Sequence, residues 1–293
     1  MNLTLTVLEI VAPVFLLAGI GFAWVKLGFE YRIQFVTQLA MTLSVPCLIF
    51  VSLINTQIDP AALTALSLAT VVAYGGVTLV AAAIVWAMGL NRRTYLAPLI
   101  FGNTGNLGLP LALFAFGDAG LSYAVVVFAV MAIWSFTFGI WLVAGAGSFG
   151  KVMREPLVWG TLLGALFLVQ GWQTPKFMTN TLTLLGQMAI PMMLITLGVA
   201  VARLTPGGVG RAVVLSAIKL VICVAIAWAA GAYFELDRTA LGVLVLQVAT
   251  PVAVTSYLLA EKYGADAQSV AGLVVVSTLM SVAALPILLA FLL

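Results

Sequence analysis

Pro110 and Pro251 lie deep inside apolar stretches long enough to cross a bilayer, and a proline there sets a hard condition on the fold. Its ring removes a backbone donor and blocks the preceding turn. In lipid, a freed carbonyl is tolerated only where protein or a water-filled cavity satisfies it. The two residues belong to a longer pattern: Pro13, Pro46, Pro60 and Pro110 recur as Pro156, Pro191, Pro206 and Pro251, at offsets of 143, 145, 146 and 141 residues. A duplicated membrane unit accounts for this most simply, with residues 1–148 as the first copy and 149–293 as the second.

Composition agrees with a membrane setting. Hydrophobic residues make up 64% of the chain and charged residues 7%, against roughly 25% charged in soluble domains. The net charge of +3 leaves no nucleic-acid footprint. There is no histidine, which removes the commonest general base and metal ligand, and Cys47 and Cys223 have no neighbours at metal-binding spacing. The opening MNLTLTVLEI lacks a basic region and carries Glu9, so the run that follows reads as a retained span.

Charged and Gly/Pro clusters divide the chain into ten apolar stretches: 5–26, 35–55, 61–88, 95–117, 119–146, 156–170, 177–201, 210–233, 238–262 and 267–292. The implied fold class is an all-α polytopic membrane protein. Counting loops on alternate sides, Lys26, Arg32, Arg92, Arg93, Lys151, Arg154, Arg203, Arg211 and Lys262 share one side, while Lys176 and Arg238 fall on the other. Basic loops stay cytoplasmic, which places both termini outside an inner, or plasma, membrane. Five crossings per half force the second copy to enter from the opposite side, so the repeats are inverted. That arrangement typifies secondary transporters, which bind substrate where broken helices meet near the midplane. The join, SFGKVMREP, is too short for a soluble domain.

The fourth stretch contains FGNTGNLGLP, residues 101–110, whose three glycines, two asparagines and proline suit a continuous helix poorly. An unwound segment there offers amide donors at one half-helix and carbonyl acceptors at the other, and Asn103 and Asn106 add side-chain partners. The ninth stretch holds Gln247, Thr250 and Pro251 near its middle. Inverted symmetry sets this second break across from the first, with Pro110 and Pro251 as the matched pair. Pro46 and Pro191, flanked by Ser44 and Gln187, read as bends in the second and seventh helices, with Ser44 a candidate ligand contact. Lys219 lies well inside the eighth stretch. It either snorkels to the cytoplasmic interface or faces the cavity, attracting an anion or standing in for a bound cation. No carboxylate sits at a span centre, which disfavours a cation substrate and favours an organic anion.

At NTGNLGLPLAL, at ATPVAVTSYLLAEKYGAD and at STLMSVAALP, the chain resembles the auxin efflux carrier family, which includes the plant auxin exporters and bacterial carriers of malonate or malate. The similarity spans essentially the whole chain. It implies that Asn103 and Thr104 precede a crossover proline, Pro110, and that Pro251 is the ninth-helix counterpart. It also implies ten helices in an inverted five-plus-five arrangement. Helices one, two, six and seven form a scaffold, and helices three to five with eight to ten form a bundle that moves like an elevator. Related inverted-repeat carriers pair as homodimers through their scaffold helices. The long cytoplasmic loop of many plant members is missing, and Val252 replaces a polar residue after the crossover proline.

The sequence thus points to a carrier of small carboxylates that needs the lipid bilayer and no cofactor. Coupling to Na⁺ or H⁺ stays open, because sodium binds neutral oxygens and leaves no acidic signature. An ion-coupled antiporter on the same fold is the alternative, and an intramembrane Ser-Lys hydrolase using Lys219 a remote one. The charge bias makes a direct prediction: in a variant lacking Cys47 and Cys223, a membrane-impermeant maleimide labels Lys176→Cys on intact cells. Arg93→Cys reacts only after permeabilisation; the reverse pattern would invert the topology.

Overall fold

The computed structural model describes residues 3–55, 58–144 and 156–293, so the expected join between the halves lies outside the described residues. Among them the chain is helical, with no strand. The helices are α1 (Leu3–Lys26), α2 (Ile33–Leu39), α3 (Val45–Ile54), α4 (Pro60–Ala87), α5 (Arg92–Ile100), α6 (Leu109–Trp134), α7 (Ile140–Ala144), α8 (Pro156–Gln170), α9 (Lys176–Gln187), α10 (Ala189–Arg203), α11 (Val209–Tyr233), α12 (Arg238–Val248), α13 (Val254–Lys262) and α14 (Ala267–Leu292). Wider π turns at Ala40–Ser44, Thr104–Gly108 and Ser135–Gly139 join α2 to α3, lead into α6 and join α6 to α7.

Among the described residues, seven helical runs are long and apolar enough to cross a membrane: Leu5–Lys26, Ile33–Ile54, Ala61–Ala87, Thr104–Val143, Lys176–Arg203, Val209–Tyr233 and Ala267–Leu292. The shortfall from ten has a local cause. The fourth and ninth stretches are each cut in two, and the sixth, which forms α8, is short. The run 104–143 is itself divided at Gly117, whose φ of 65° and ψ of −156° no helix residue adopts. A left-handed φ is a conformation that glycine enters without a Cβ penalty.

The acidic residues at span ends have a visible task. Asp59 accepts from the Ala61 N–H at 2.8 Å, Asp237 from Thr239 and Ala240 at 2.9 Å each, and Asp266 from Ser269 at 3.0 Å, while Asn91 does the same for Arg93 at 2.9 Å. Each satisfies first-turn donors and complements the positive end of its helix. The hydroxyl and N–H of Ser269 hold the Asp266 carboxyl below the usual carboxylate range. At the opposite helix ends, Arg93 donates to the terminal carbonyls of Val143 at 3.0 Å and Tyr263 at 2.9 Å, joining α7 to α13.

Packing falls into two neighbourhoods. In the first, α1 lies along α10, and α3 lies against α8 and α9. These contacts run through glycine: a Cβ at Gly198 would collide with the Ala18 carbonyl, one at Gly21 with the Ile195 carbonyl, and one at Gly186 would sit 3.0 Å from Leu48 backbone atoms. Such small-residue seams let backbones approach where lipid provides no hydrophobic drive between helices. In the second, α11 packs on α4, α12 and α14, while α6 packs on α12 and α4. The two neighbourhoods meet where α1 touches α6 and α14, where α3 touches α6, and where α10 touches the π turn 104–108.

Pro46 and Pro191 do perturb their helices. Pro46 follows the π turn Ala40–Ser44 in an otherwise continuous rod, and Pro191 follows the turn at Met188 that separates α9 from α10. Widening the turn ahead of a proline moves the facing carbonyl off its ring. The glycine seam sets the testable expectation here. Gly198→Val lowers the melting midpoint of the purified protein by roughly 5 °C or more through overpacking. Gly19→Ala, with open space around its Cβ position, leaves the midpoint unchanged or raises it.

Candidate functional site

The helix α5 stops at Ile100 because Phe101 turns extended, with φ −90° and ψ 120°. The helix α12 stops at Val248, and α13 restarts only after Ala253, which is extended at φ −66° and ψ 135°. These two extended pieces run antiparallel and bridge at Gly102 and Val252. The Asn103 N–H donates to the Pro251 carbonyl at 2.7 Å, and the Ala253 N–H donates to the Phe101 carbonyl at 3.3 Å. The Val252 N–H donates to Ser277 Oγ on α14 at 3.0 Å. Backbone groups freed by each break are thus satisfied by the other break and by a neighbouring helix, as burial requires.

Glycine makes the approach possible. A Cβ on Gly102 would collide with Thr250 Oγ1, and one on Gly108 with Gln247 Oε1. Thr250 Oγ1 donates to the Gln247 carbonyl at 2.7 Å, closing the last turn of α12. The crossing therefore gathers two helix carboxyl ends, at Ile100 and Val248, and two restarting amino ends, neither with a side-chain cap. Opposite helix-dipole charges face one another with no formal charge needed.

Several polar atoms here lack partners. Asn103 Nδ2, Thr104 Oγ1 and Gln247 Oε1 are buried without any hydrogen bond, although the Gln247 amide nitrogen donates to the Ala124 carbonyl at 3.5 Å. A buried unsatisfied polar group costs about 1–3 kcal/mol and calls for an explanation, of which a ligand is one.

The structure places the other sequence-derived candidates as follows. Asn106 is partly buried in the π turn. Pro110 is buried but is not in a break: it occupies the first turn of α6, beyond the π turn, and the unwound residues are 101–103. The repeated proline pattern, at similar offsets in sequence, matches Pro110 with Pro251, yet only Pro251 lies within its break. Ser44 is buried with an unpartnered hydroxyl, on the π turn that packs against α9 and α10 rather than at the crossing itself.

Lys219 does not snorkel. It is 2% exposed, its Nζ reaches Cys223 Sγ at 3.7 Å, and it faces the second break, sharing a small cavity with Ala249, Thr250 and Pro251. The nearby Ser216 hydroxyl has no hydrogen-bond partner, so no Ser-Lys pair is engaged. Ser277 and Ser281, one turn apart on α14, line the same cavity and were not singled out from sequence. Their spacing in an apolar helix was the available signal.

A larger cavity, of about 930 Å³, opens between the two packing neighbourhoods. Its walls are α3 from Leu48 to Asn55, α9 and the start of α10 from Thr183 to Pro191, and α6 at Leu113, Phe114 and Ser122. No group of metal-ligating side chains occurs among the described residues.

Comparison with known proteins agrees with a transport assignment. An uncharacterized transporter of Methanocaldococcus jannaschii is 24% identical over 196 residues, covering 62% of each chain. Another from Methanothermobacter thermautotrophicus is 29% identical over 194 residues, covering 63% of each. The aligned region therefore spans somewhat under two thirds of these relatives. A family model described as "Membrane transport protein" matches residues 6–152 and 148–289, nearly the whole sequence. The chain thus belongs to the membrane transport protein family, that of the auxin efflux carriers its motifs resemble.

Proposed function

We propose that this protein is a secondary carrier that moves small organic anions, mono- or dicarboxylates such as malonate, malate or auxin-like acids, across the inner membrane by elevator-type alternating access. The observation that carries this reading is the adjacent pair of buried, unpartnered groups, Asn103 Nδ2 and Thr104 Oγ1, at the first of two uncapped helix amino ends. Amide and hydroxyl donors at such ends suit a carboxylate. No acidic side chain lines the small cavity beside the crossing, which weighs against a cation antiporter.

Matched local geometry supports two inverted five-helix repeats. Side-chain caps recur at Asn91 and Asp237, left-handed residues at Gly89 and Glu235 and again at Gly117 and Gly264, and a break follows each capped half-helix. In this scheme α1, α2–α3, α8 and α9–α10 are the scaffold helices one, two, six and seven, and the second neighbourhood is the moving bundle. The 930 Å³ cavity lies along their boundary, where a path between them belongs. Its lining includes Asn55 and Asp118, from span ends expected on the extracytoplasmic side, and this reading takes the cavity as the outward-facing path. Pairing of two copies would use the scaffold.

Transport and stability should separate at this site. In proteoliposomes, Asn103→Ala and Thr104→Val are expected to reduce uptake of a labelled carboxylate about tenfold or more, the effect of losing roughly 1.4 kcal/mol of binding or more. Thr104→Val should at the same time melt at or above the wild-type temperature, because it removes an unsatisfied buried hydroxyl. Unchanged uptake by both variants would remove the crossing from the substrate path. A panel of aromatic acids, malonate and malate in a thermal-shift screen should raise the melting midpoint for one class, and for that class the shift should vanish in Asn103→Ala.

A further inference from the structure

Among the described residues, Lys219 is the one charged side chain that is buried, and the one ion pair joins Arg32 to Glu30 at the surface. A lysine at this depth without a carboxylate needs other compensation. Its surroundings supply it. The cavity it faces measures about 20 Å³, room for a single water. Thr250, Ser277 and Ser281 line it, and each already donates its hydroxyl proton to a backbone carbonyl: to Gln247 at 2.7 Å, Val274 at 3.3 Å and Thr278 at 2.6 Å. A hydroxyl has one proton and two lone pairs, so these three offer the cavity acceptors only. Ser216 Oγ, on the lysine's own helix, has no partner at all. The rest of the lining is the carboxyl end of α12, the negative end of its dipole, together with the apolar side chains of Leu220, Met280, Ala284 and Leu285. Neutral oxygens around a helix carboxyl end form a chamber for a hard monovalent cation.

We infer that the Lys219 ammonium is a tethered substitute for a free monovalent cation at the second break. The crossing is electrostatically complete without Na⁺, and shortening the side chain converts the chamber into a Na⁺ site formed by Ser216, Thr250, Ser277 and Ser281. The inference deepens the carrier reading by assigning its ion dependence, while the chamber itself is testable without any substrate.

The experiment compares purified wild type, Lys219→Ser and Lys219→Gln by thermal shift, with sodium chloride replacing choline chloride at constant ionic strength. The wild-type midpoint is expected not to move, and that of Lys219→Ser to rise by roughly 3 °C or more when Na⁺ exceeds its dissociation constant about tenfold. A variant recovered from membranes only in Na⁺-containing buffer supports the inference equally. Variants indifferent to Na⁺ in both recovery and midpoint, or a wild type that Na⁺ stabilises, overturn it. Carboxylate uptake forms a separate arm, expected to be Na⁺-independent in wild type and Na⁺-dependent in Lys219→Ser. A Na⁺-induced thermal shift without uptake of any carboxylate would sink the carrier reading and leave the cation chamber standing.

Discussion

Within a bilayer each peptide group must find its partner inside the protein, and this requirement shapes the molecule around residues 101–103 and 249–253. A lone interrupted helix would expose unpaired donors and acceptors. Two interruptions set against one another solve the problem, since Phe101, Asn103, Pro251 and Ala253 exchange backbone hydrogen bonds across the bridge at Gly102 and Val252. The breaks therefore have to occur together, and the chain has to bring them face to face. Gly102, where a side chain would strike Thr250, and Ser277, which accepts the remaining Val252 N–H, follow from that geometry.

Much of this was legible in the sequence. Glycine and asparagine at 102–108 oppose a helix strongly enough to reveal the first break, and the absence of acids from span centres could be read as well, whereas the capping by Asp59, Asp237 and Asp266 emerged only from the structure. Pro110 shows where such reasoning fails. Proline is equally at home in a helix's first turn and in a break, and the unwound residues 101–103 open the expected stretch 101–110 while Pro110, at its end, is already helical. The orientation of Lys219 was undecidable for a different reason. Serines from α14 and the end of α12, remote in the chain, set its environment, and no local pattern encodes that proximity.

Polarity at the crossing is almost wholly uncharged. Helix ends, amides and hydroxyls supply that polarity, and among the described residues Lys219 is the one buried side chain of a charged type. Unsatisfied groups at Asn103, Thr104 and Gln247 cost stability in the absence of a partner, and the glycine seams between α1 and α10 and around α3 provide a firm frame against which that cost is borne.

The breadth of the 930 Å³ cavity has its own implication for selectivity. Under the proposed carrier reading, a three- or four-carbon acid would fill only a fraction of such a volume and would arrive there still carrying most of its hydration shell. Stripping of that water would be deferred to the narrow polar crossing, where each lost water would have to be replaced by an amide or hydroxyl at the right distance. Discrimination between cargoes would then depend on how well the protein matches the shape of a dehydrated carboxylate, and hardly at all on which acids can enter from bulk solution.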